Sequence, residues 1–488
     1  MNKEFLERLK ELYRKEFGEI EDFELLPLSG SKRRYVRFIN KSGDSIVGVY
    51  NPNKQENNTY FYFTSVFKKN ELKVPELKWK SEDKVYYFIE DLGKQSLFEK
   101  IMKDGYTSEV ENLMKEALKH LVHFQFNAGG SIDYEMCFSS KKFGAKQIYS
   151  DLLYFKYYFL DMLPIEYHTE DLLSELQSWS EELSSIGPVG FMYRDFQSRN
   201  IILNEKNELG FIDFQGGMQG FPGYDLASFL WQARAKVPMA LKRKLLNYYY
   251  DYLVEYAPGM STVNEDAFKR DYLKFVLLRI LQTLGAYGYL GLIQNKPHFI
   301  SSIVPALEQL KEYLEEFSTY PNYNELRQTL EKVVKKDIIN SFKKTKYPKE
   351  NVEKLRIKLF SFSYKKGLPK ENSEHGGGYV FDCRGILNPG REEAYKTLTG
   401  KDDEVQYYLE TKTQMPEFLK YVKRSLDISV MNYLDRGFDS LSIAFGCTGG
   451  QHRSVYAAEK IKKYLEEEFE LSVELVHLEQ EEHDYTRR

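Results

Sequence analysis

Cysteine is scarce in this 488-residue chain: Cys137, Cys383 and Cys447 are the only three, and they lie far apart. An odd, scattered set excludes a disulfide framework and offers no zinc-ligand spacing. No apolar run reaches the roughly 18 residues that span a bilayer. The opening stretch Met1–Lys10 is charged at helical spacing and lacks the apolar centre of a signal peptide. No membrane association and a reducing cytoplasm are therefore expected. What the chain has is length for more than one domain, and 42% hydrophobic residues, enough for sizeable cores. Its 38 Tyr and 33 Phe are concentrated in helix-like stretches such as Tyr154–Phe159 and Tyr248–Tyr252, which suits core packing better than sugar stacking.

The most legible chemistry is in Tyr193-Arg194-Asp195-Phe196-Gln197-Ser198-Arg199-Asn200 and Gly210-Phe211-Ile212-Asp213-Phe214-Gln215. Phosphoryl transfer needs a carboxylate to orient the attacking hydroxyl and oxygen ligands to hold Mg2+ on a triphosphate. Asp195 suits the first task; Asn200 and Asp213 suit the second. Between them, Ile201–Asn204, the polar turn Glu205–Glu208 and Leu209–Ile212 read as a hairpin that returns Asp213 to Asn200. Asp225, before an apolar helix start, reads as a structural anchor. Gln197, Arg199 and Gln215 lie near the reaction centre by position, with no role assigned.

Arg-Asp-Phe-Gln-Ser-Arg-Asn at 194–200, Ile-Asp-Phe-Gln at 212–215 and Tyr-Asp-Leu-Ala-Ser at 224–228 resemble the aminoglycoside/choline kinase superfamily. Within it, the chain is most similar to anomeric N-acetylmuramate/N-acetylglucosamine kinases of bacterial cell-wall recycling. The resemblance covers roughly residues 1–320 and implies a protein-kinase-like bilobal α+β domain using ATP and Mg2+. Upstream, Leu28–Phe38 reads as strand, turn and strand, with Gly30 and Ser31 as phosphate-facing backbone. The strand Ser45–Tyr50 has Val49 or Tyr50 where most kinases place a phosphate-contacting lysine. Lys32, Arg33 or Arg34 could substitute. Phe88–Gly93 resembles the strand leading to the hinge, so backbone groups of Glu90 and Leu92 are expected to meet adenine. Tyr193 stands where the family usually has His.

Helical periodicity from Tyr323 to Phe342 fades into the charged stretch Lys343–Glu350, a linker by composition. Strand-like segments follow at Leu355–Phe362, Gly378–Cys383, Ser440–Gly446 and Leu471–Val476, with helical patterns at about 415–436 and 453–469. They predict a smaller α/β domain. The division expected is 1–325 for the kinase-like domain, 326–354 for helix and linker, 355–480 for the α/β domain and 481–488 for a tail.

In this second domain, Gly446-Cys447-Thr448-Gly449-Gly450-Gln451-His452-Arg453-Ser454 sits between strand and helix. A Gly-rich strand-to-helix loop can cradle an anion on its amides. Candidate ligands are Cys447, Thr448, Gly449, Gly450, His452, Arg453 and Ser454. Cys447 and Arg453 also have the Cys-x5-Arg spacing of cysteine phosphatases, and an unliganded structural turn is a third reading. Phe360-Ser361-Phe362, Tyr379–Arg384, Asn388-Pro389, Leu398-Thr399-Gly400 and 446–455 resemble the C-terminal domain of the RNase adapter RapZ, over roughly 355–480. That resemblance implies binding of a small regulatory RNA and sensing of glucosamine-6-phosphate. Gln451 replaces a lysine of the family loop, and the 481–488 tail is not the compact basic cluster expected. Residues 351–488 carry 21 basic and 24 acidic side chains, a balance of −3 that disfavours RNA. A patch of Lys365, Lys366, Arg384 and Arg453 is left for it.

The expected function is an ATP- and Mg2+-dependent kinase acting on an amino sugar, with a phosphosugar effector bound by the second domain. An aminoglycoside-type kinase would share every catalytic residue, and a non-catalytic RNA adapter is the alternative from another class.

Overall fold

The computed structural model describes the chain apart from residues 1, 27–32, 295, 318–321, 344–348, 371–377 and 481–488. It divides near Lys343 into two compact units.

The larger unit begins with helix α1 (Asn2–Phe17) and an antiparallel sheet of β1 (Asp22–Leu25), β2 (Arg34–Ile39), β3 (Ser45–Tyr50), β4 (Leu77–Lys80) and β5 (Tyr86–Glu90) in the order β1-β2-β3-β5-β4. Helix α2 (Lys54–Lys69) follows β3; Asn53 caps it by accepting from the Glu56 N–H. Gly48 of β3 lies where a Cβ would come within 2.9 Å of Phe38 and Phe88, whose rings pack against Tyr13 of α1. One face of the sheet is thus closed by α1.

The rest of this unit is mostly helical, as its sequence periodicity implies. Phe67 of α2 is fully buried, edge-on to Phe124, Phe191 and Phe214. These three rings come from a helical turn, the strand before Asp195 and the segment after Asp213, so one side chain joins α2 to both motifs. The hairpin forms between Ile201–Leu203 and Leu209–Phe211, and Gln95–Ser96 adds a third strand. Residues 223–230 form a helix buried along its whole length.

One helix departs from expectation. Glu265–Ile293 is long and apolar enough, by length and composition, to cross a membrane, contrary to the reading that no run approaches that length. More than half of its apolar window is buried inside the domain. Arg279, in its middle, turns inward.

The smaller unit is a parallel sheet in the order Gly378–Asp382, Ser440–Cys447, Arg356–Ser363, Val473–His477. The alternation expected for 355–362 holds only for its first residues, and from Leu359 to Ser363 every side chain is buried. Burial on both faces is the signature of a parallel strand at a sheet centre. Helices Met415–Arg436 and Arg453–Phe469 lie where their patterns place them.

Phe67→Ala is expected to cost about 3–5 kcal/mol in urea unfolding, because the aromatic hub cannot close over the cavity. A loss below about 1 kcal/mol would show that the hub is not shared.

Candidate functional site

The loop carrying Asp195 is held by its backbone. Asp225 is fully buried and accepts from the N–H groups of Tyr193 (2.7 Å) and Arg194 (2.8 Å) and from the Gln125 amide (3.1 Å). Burial pushes the Asp225 carboxyl up to about 7, against the pull of those hydrogen bonds. Arg194 has φ +80°, a conformation that strains a residue with a Cβ. Its guanidinium is tied to Asp151 (2.9 Å) and the Tyr224 hydroxyl (3.1 Å). Tyr193 is buried, and its hydroxyl donates to the Ile212 carbonyl at 2.7 Å. These contacts fix the loop from both sides.

Asp195 is left partly exposed, its side chain 43% accessible, with Arg279 donating to Oδ1 at 3.3 Å. Asn200 donates its amide to the Asp195 carbonyl at 2.9 Å, which leaves its Oδ1 as the acceptor end. The Ile212 N–H donates to the Asn200 carbonyl at 3.0 Å, so the hairpin brings Asp213 beside Asn200. Asp213, at φ +69°, accepts from Gln215 (2.7 Å) and Arg33 (3.4 Å). One carboxylate and one amide oxygen suit a hard cation that takes its remaining ligands from a triphosphate. Among the described residues no cluster of three or more His, Cys, Asp or Glu is placed to hold a metal.

Of the candidates for the strand lysine's part, Arg33 and Arg34 lie among the described residues. Arg33 is 8% exposed and pairs with Glu56 of α2 as well as with Asp213. Burial works against its charge, but Tyr35, Asp213 and Glu56 more than offset that, holding its pKa above the ordinary value. Arg34 instead donates to the Arg33 carbonyl. Gly30, Ser31 and Lys32 lie outside the described residues.

At the expected hinge, one backbone group of Glu90 is already bonded. Its backbone N–H donates to the Glu76 carbonyl at 2.9 Å, a β-sheet edge contact that closes it to adenine as a donor. Leu92 rests on the hairpin: a Cβ at Gly210 would lie 2.7 Å from its Cδ1, so glycine is required for that approach. Below Asp195 a cleft is lined by Gln197, Arg199, Trp231, Arg234, Arg279 and Tyr287, among others.

In the smaller unit, the Gly-rich loop is turned inward more than its sequence implies. Cys447 and Ser454 are buried, with Sγ and Oγ 3.2 Å apart, and the Gly450 N–H is spent on Cys447 Sγ at 3.2 Å. Burial acts to raise the thiol, but Ser454, Arg453 and Gly450 bring its pKa below the ordinary value. His452 meets the Tyr395 carbonyl through Nε2 at 2.8 Å, which corrects its assignment as an anion ligand on that nitrogen. Arg453 is 4% exposed; one terminal nitrogen donates to the Arg384 and Ile386 carbonyls, while Nε is buried without a partner. Thr448 and Gly449 are exposed, and Gly449 has open space around it. Of the expected set, only Thr448 and Gly449 are open to solvent, while Cys447, Gly450, His452, Arg453 and Ser454 are buried. Of the basic patch, Lys366 pairs with Glu479 and Arg384 with Asp382, which halves its charge.

Sequence reading missed Arg279, Asp151 and Gln125 as parts of the site. Arg279 did leave a signal: a lone charge inside Phe275–Leu281 must find a partner. Asp151 and Gln125 left none.

Residues 25–259 match the Phosphotransferase enzyme family, and residues 355–481 match the RapZ C-terminal domain. The chain joins a phosphotransferase-family domain to a RapZ C-terminal domain. Curated relatives include a nucleotide-binding protein of Caldicellulosiruptor bescii, 34% identical over 165 residues, which are 34% of this chain and 54% of that one. Another, from Ruegeria sp., is 42% identical over 118 residues, or 24% of this chain and 37% of that one. The chain thus spans about half or less of the length of these relatives. Among solved structures, choline kinase LicA from Streptococcus pneumoniae has a TM-score of 0.44 at 12% identity, covering 64% of this chain and all of that one. Amicoumacin kinase hAmiN, with AMP-PNP, Ca2+ and Ami, has a TM-score of 0.46 at 11% identity, covering 67% and 100%. The phosphotransferase-family match lies on the α+β unit with the antiparallel sheet, and the RapZ C-terminal match on the unit with the parallel sheet.

Asp225→Asn in the phosphotransferase domain turns an N–H donor toward groups that now donate to the carboxylate. It is expected to cost about 1–3 kcal/mol of stability in thermal or urea unfolding. An unchanged midpoint would contradict the anchoring role.

Proposed function

We propose that the phosphotransferase domain transfers the terminal phosphoryl group of ATP to a hydroxyl of an amino sugar, the anomeric hydroxyl of N-acetylmuramate or N-acetylglucosamine, in cell-wall recycling. The observation that carries the kinase reading is the single assembly of Asp195, Asn200, Asp213, Arg33 and Glu56. The amino-sugar reading rests on the attached RapZ C-terminal domain, through its resemblance to a domain that senses glucosamine-6-phosphate.

Asp195 accepts a hydrogen bond from the attacking hydroxyl and takes its proton as the bond to phosphorus forms. An anomeric hydroxyl is more acidic than an ordinary alcohol, which eases that transfer. Arg279 positions the carboxylate. Asn200 and Asp213 would hold Mg2+, which supplies charge neutralisation at the phosphates. Arg33, fixed by Glu56, sets Asp213 and adds positive charge on the nucleotide side. The site works in a reducing cytoplasm, where ATP is available.

The RapZ C-terminal domain is proposed to bind a phosphosugar at Thr448–Arg453 and to bias kinase activity. RNA binding is the lesser reading, because the domain's charge balance is negative.

Asp195→Asn is expected to lower turnover about 10²- to 10⁴-fold in a coupled ATPase assay on the best sugar of a panel. Equal rates for mutant and wild type would overturn the catalytic assignment. In the second domain, Arg453→Gln is expected to weaken phosphosugar binding by about tenfold or more in calorimetry, as loss of a charge-assisted bond predicts. ATP turnover that ignores a phosphosugar measured to bind would remove the regulatory link.

A further inference from the structure

The cleft below Asp195 carries a charge pattern that a neutral acceptor does not use. Three arginines, Arg199, Arg234 and Arg279, line it, and among the described residues no aspartate or glutamate does. Arg279 is buried and committed to Asp195. Arg199 and Arg234 are exposed, and among the described residues neither forms an ion pair with a carboxylate. Their field is felt nearby: burial first, and then Arg234 and Arg199, hold the His298 pKa below its ordinary value.

The nucleotide does not account for these charges. Arg33, Asn200 and Asp213 make the phosphate-side assembly, and none of the three lines this cleft. Gln197 and Arg279 do line it, and they place the cleft on the side of Asp195 where the acceptor hydroxyl must arrive. A cationic aminoglycoside would meet two unneutralised guanidiniums and no carboxylate there, an arrangement that repels it.

Resting on the sugar-kinase reading, we propose that the acceptor is an acidic sugar, whose oxyanion group is held by Arg199 and Arg234 while its hydroxyl faces Asp195. Guanidinium groups bind such oxyanions through paired N–H donors. In the transfer, the acceptor oxygen bonds to the terminal phosphorus, the bond from that phosphorus to the bridging oxygen breaks, ADP leaves, and the hydroxyl proton passes to Asp195. The oxyanion takes no part in bond making. It sets the register of the ring.

The test compares kcat/KM for N-acetylmuramate, whose acid is a carboxylate, N-acetylglucosamine 6-phosphate, whose acid is a phosphate, neutral N-acetylglucosamine and kanamycin, in wild type, Arg199→Gln and Arg234→Gln. Both arginines are exposed, so folding is not at stake. The expected result is a preference of about tenfold or more for one acidic sugar over the neutral one, with each variant narrowing that ratio about tenfold through KM. Whichever acidic sugar leads identifies the oxyanion. Equal turnover of neutral and acidic sugars, or variants that leave the ratio intact, would overturn the charge assignment while leaving the sugar-kinase reading standing. Turnover of kanamycin alone would overturn both.

Discussion

A buried guanidinium has to be paired, and the pairing of Arg33 with Glu56 and Asp213 is the constraint on which the phosphotransferase site depends. Arg33 precedes β2, Glu56 lies in the first turn of α2, and Asp213 follows the hairpin. One side chain therefore ties sheet, helix and the Asp213 carboxylate together across 180 residues of sequence. Tyr35 adds a hydrogen bond at 3.0 Å, so the guanidinium has partners on several sides. Leaving any one carboxylate out would strand charge in a low-dielectric space. In the proposed site this arrangement would take the part of a lysine on β3, from a position just before β2.

The second constraint is conformational. Arg194 and Asp213 both adopt positive φ, at a cost of order 1–3 kcal/mol each. Such a backbone persists only where its surroundings over-determine it. Asp225 does so for Arg194 by taking the N–H groups of Tyr193 and Arg194, and Gln215 with Arg33 does so for Asp213.

The fold was legible where periodicity and turn chemistry agree. The Ile201–Phe211 hairpin, the four parallel strands and the two long helices of the second domain follow from apolar spacing and Gly or polar turns. The Asp195, Asn200 and Asp213 set was legible because its spacing is local. Arg33 was not separable from Arg34, since which of two neighbouring cations turns inward depends on Glu56 and Asp213, remote in sequence. At Glu90 a strand end does not reveal that its N–H is taken by Glu76. His452 and Ser454 looked like anion ligands by position, yet loop curvature turns them into the core. Glu265–Ile293 contains Arg279 within its apolar stretch, and that arginine is what reaches Asp195.

The central claim is that Arg33 and Glu56 act as one unit in place of the usual strand lysine and its partner. A double-mutant cycle on Mg-ATP turnover with the best acceptor measures it most directly. Arg33→Met and Glu56→Gln are each predicted to lower kcat about 100-fold, and the double variant to be no worse than either single one. Full activity in Arg33→Met, or losses that multiply in the double variant, would contradict the account.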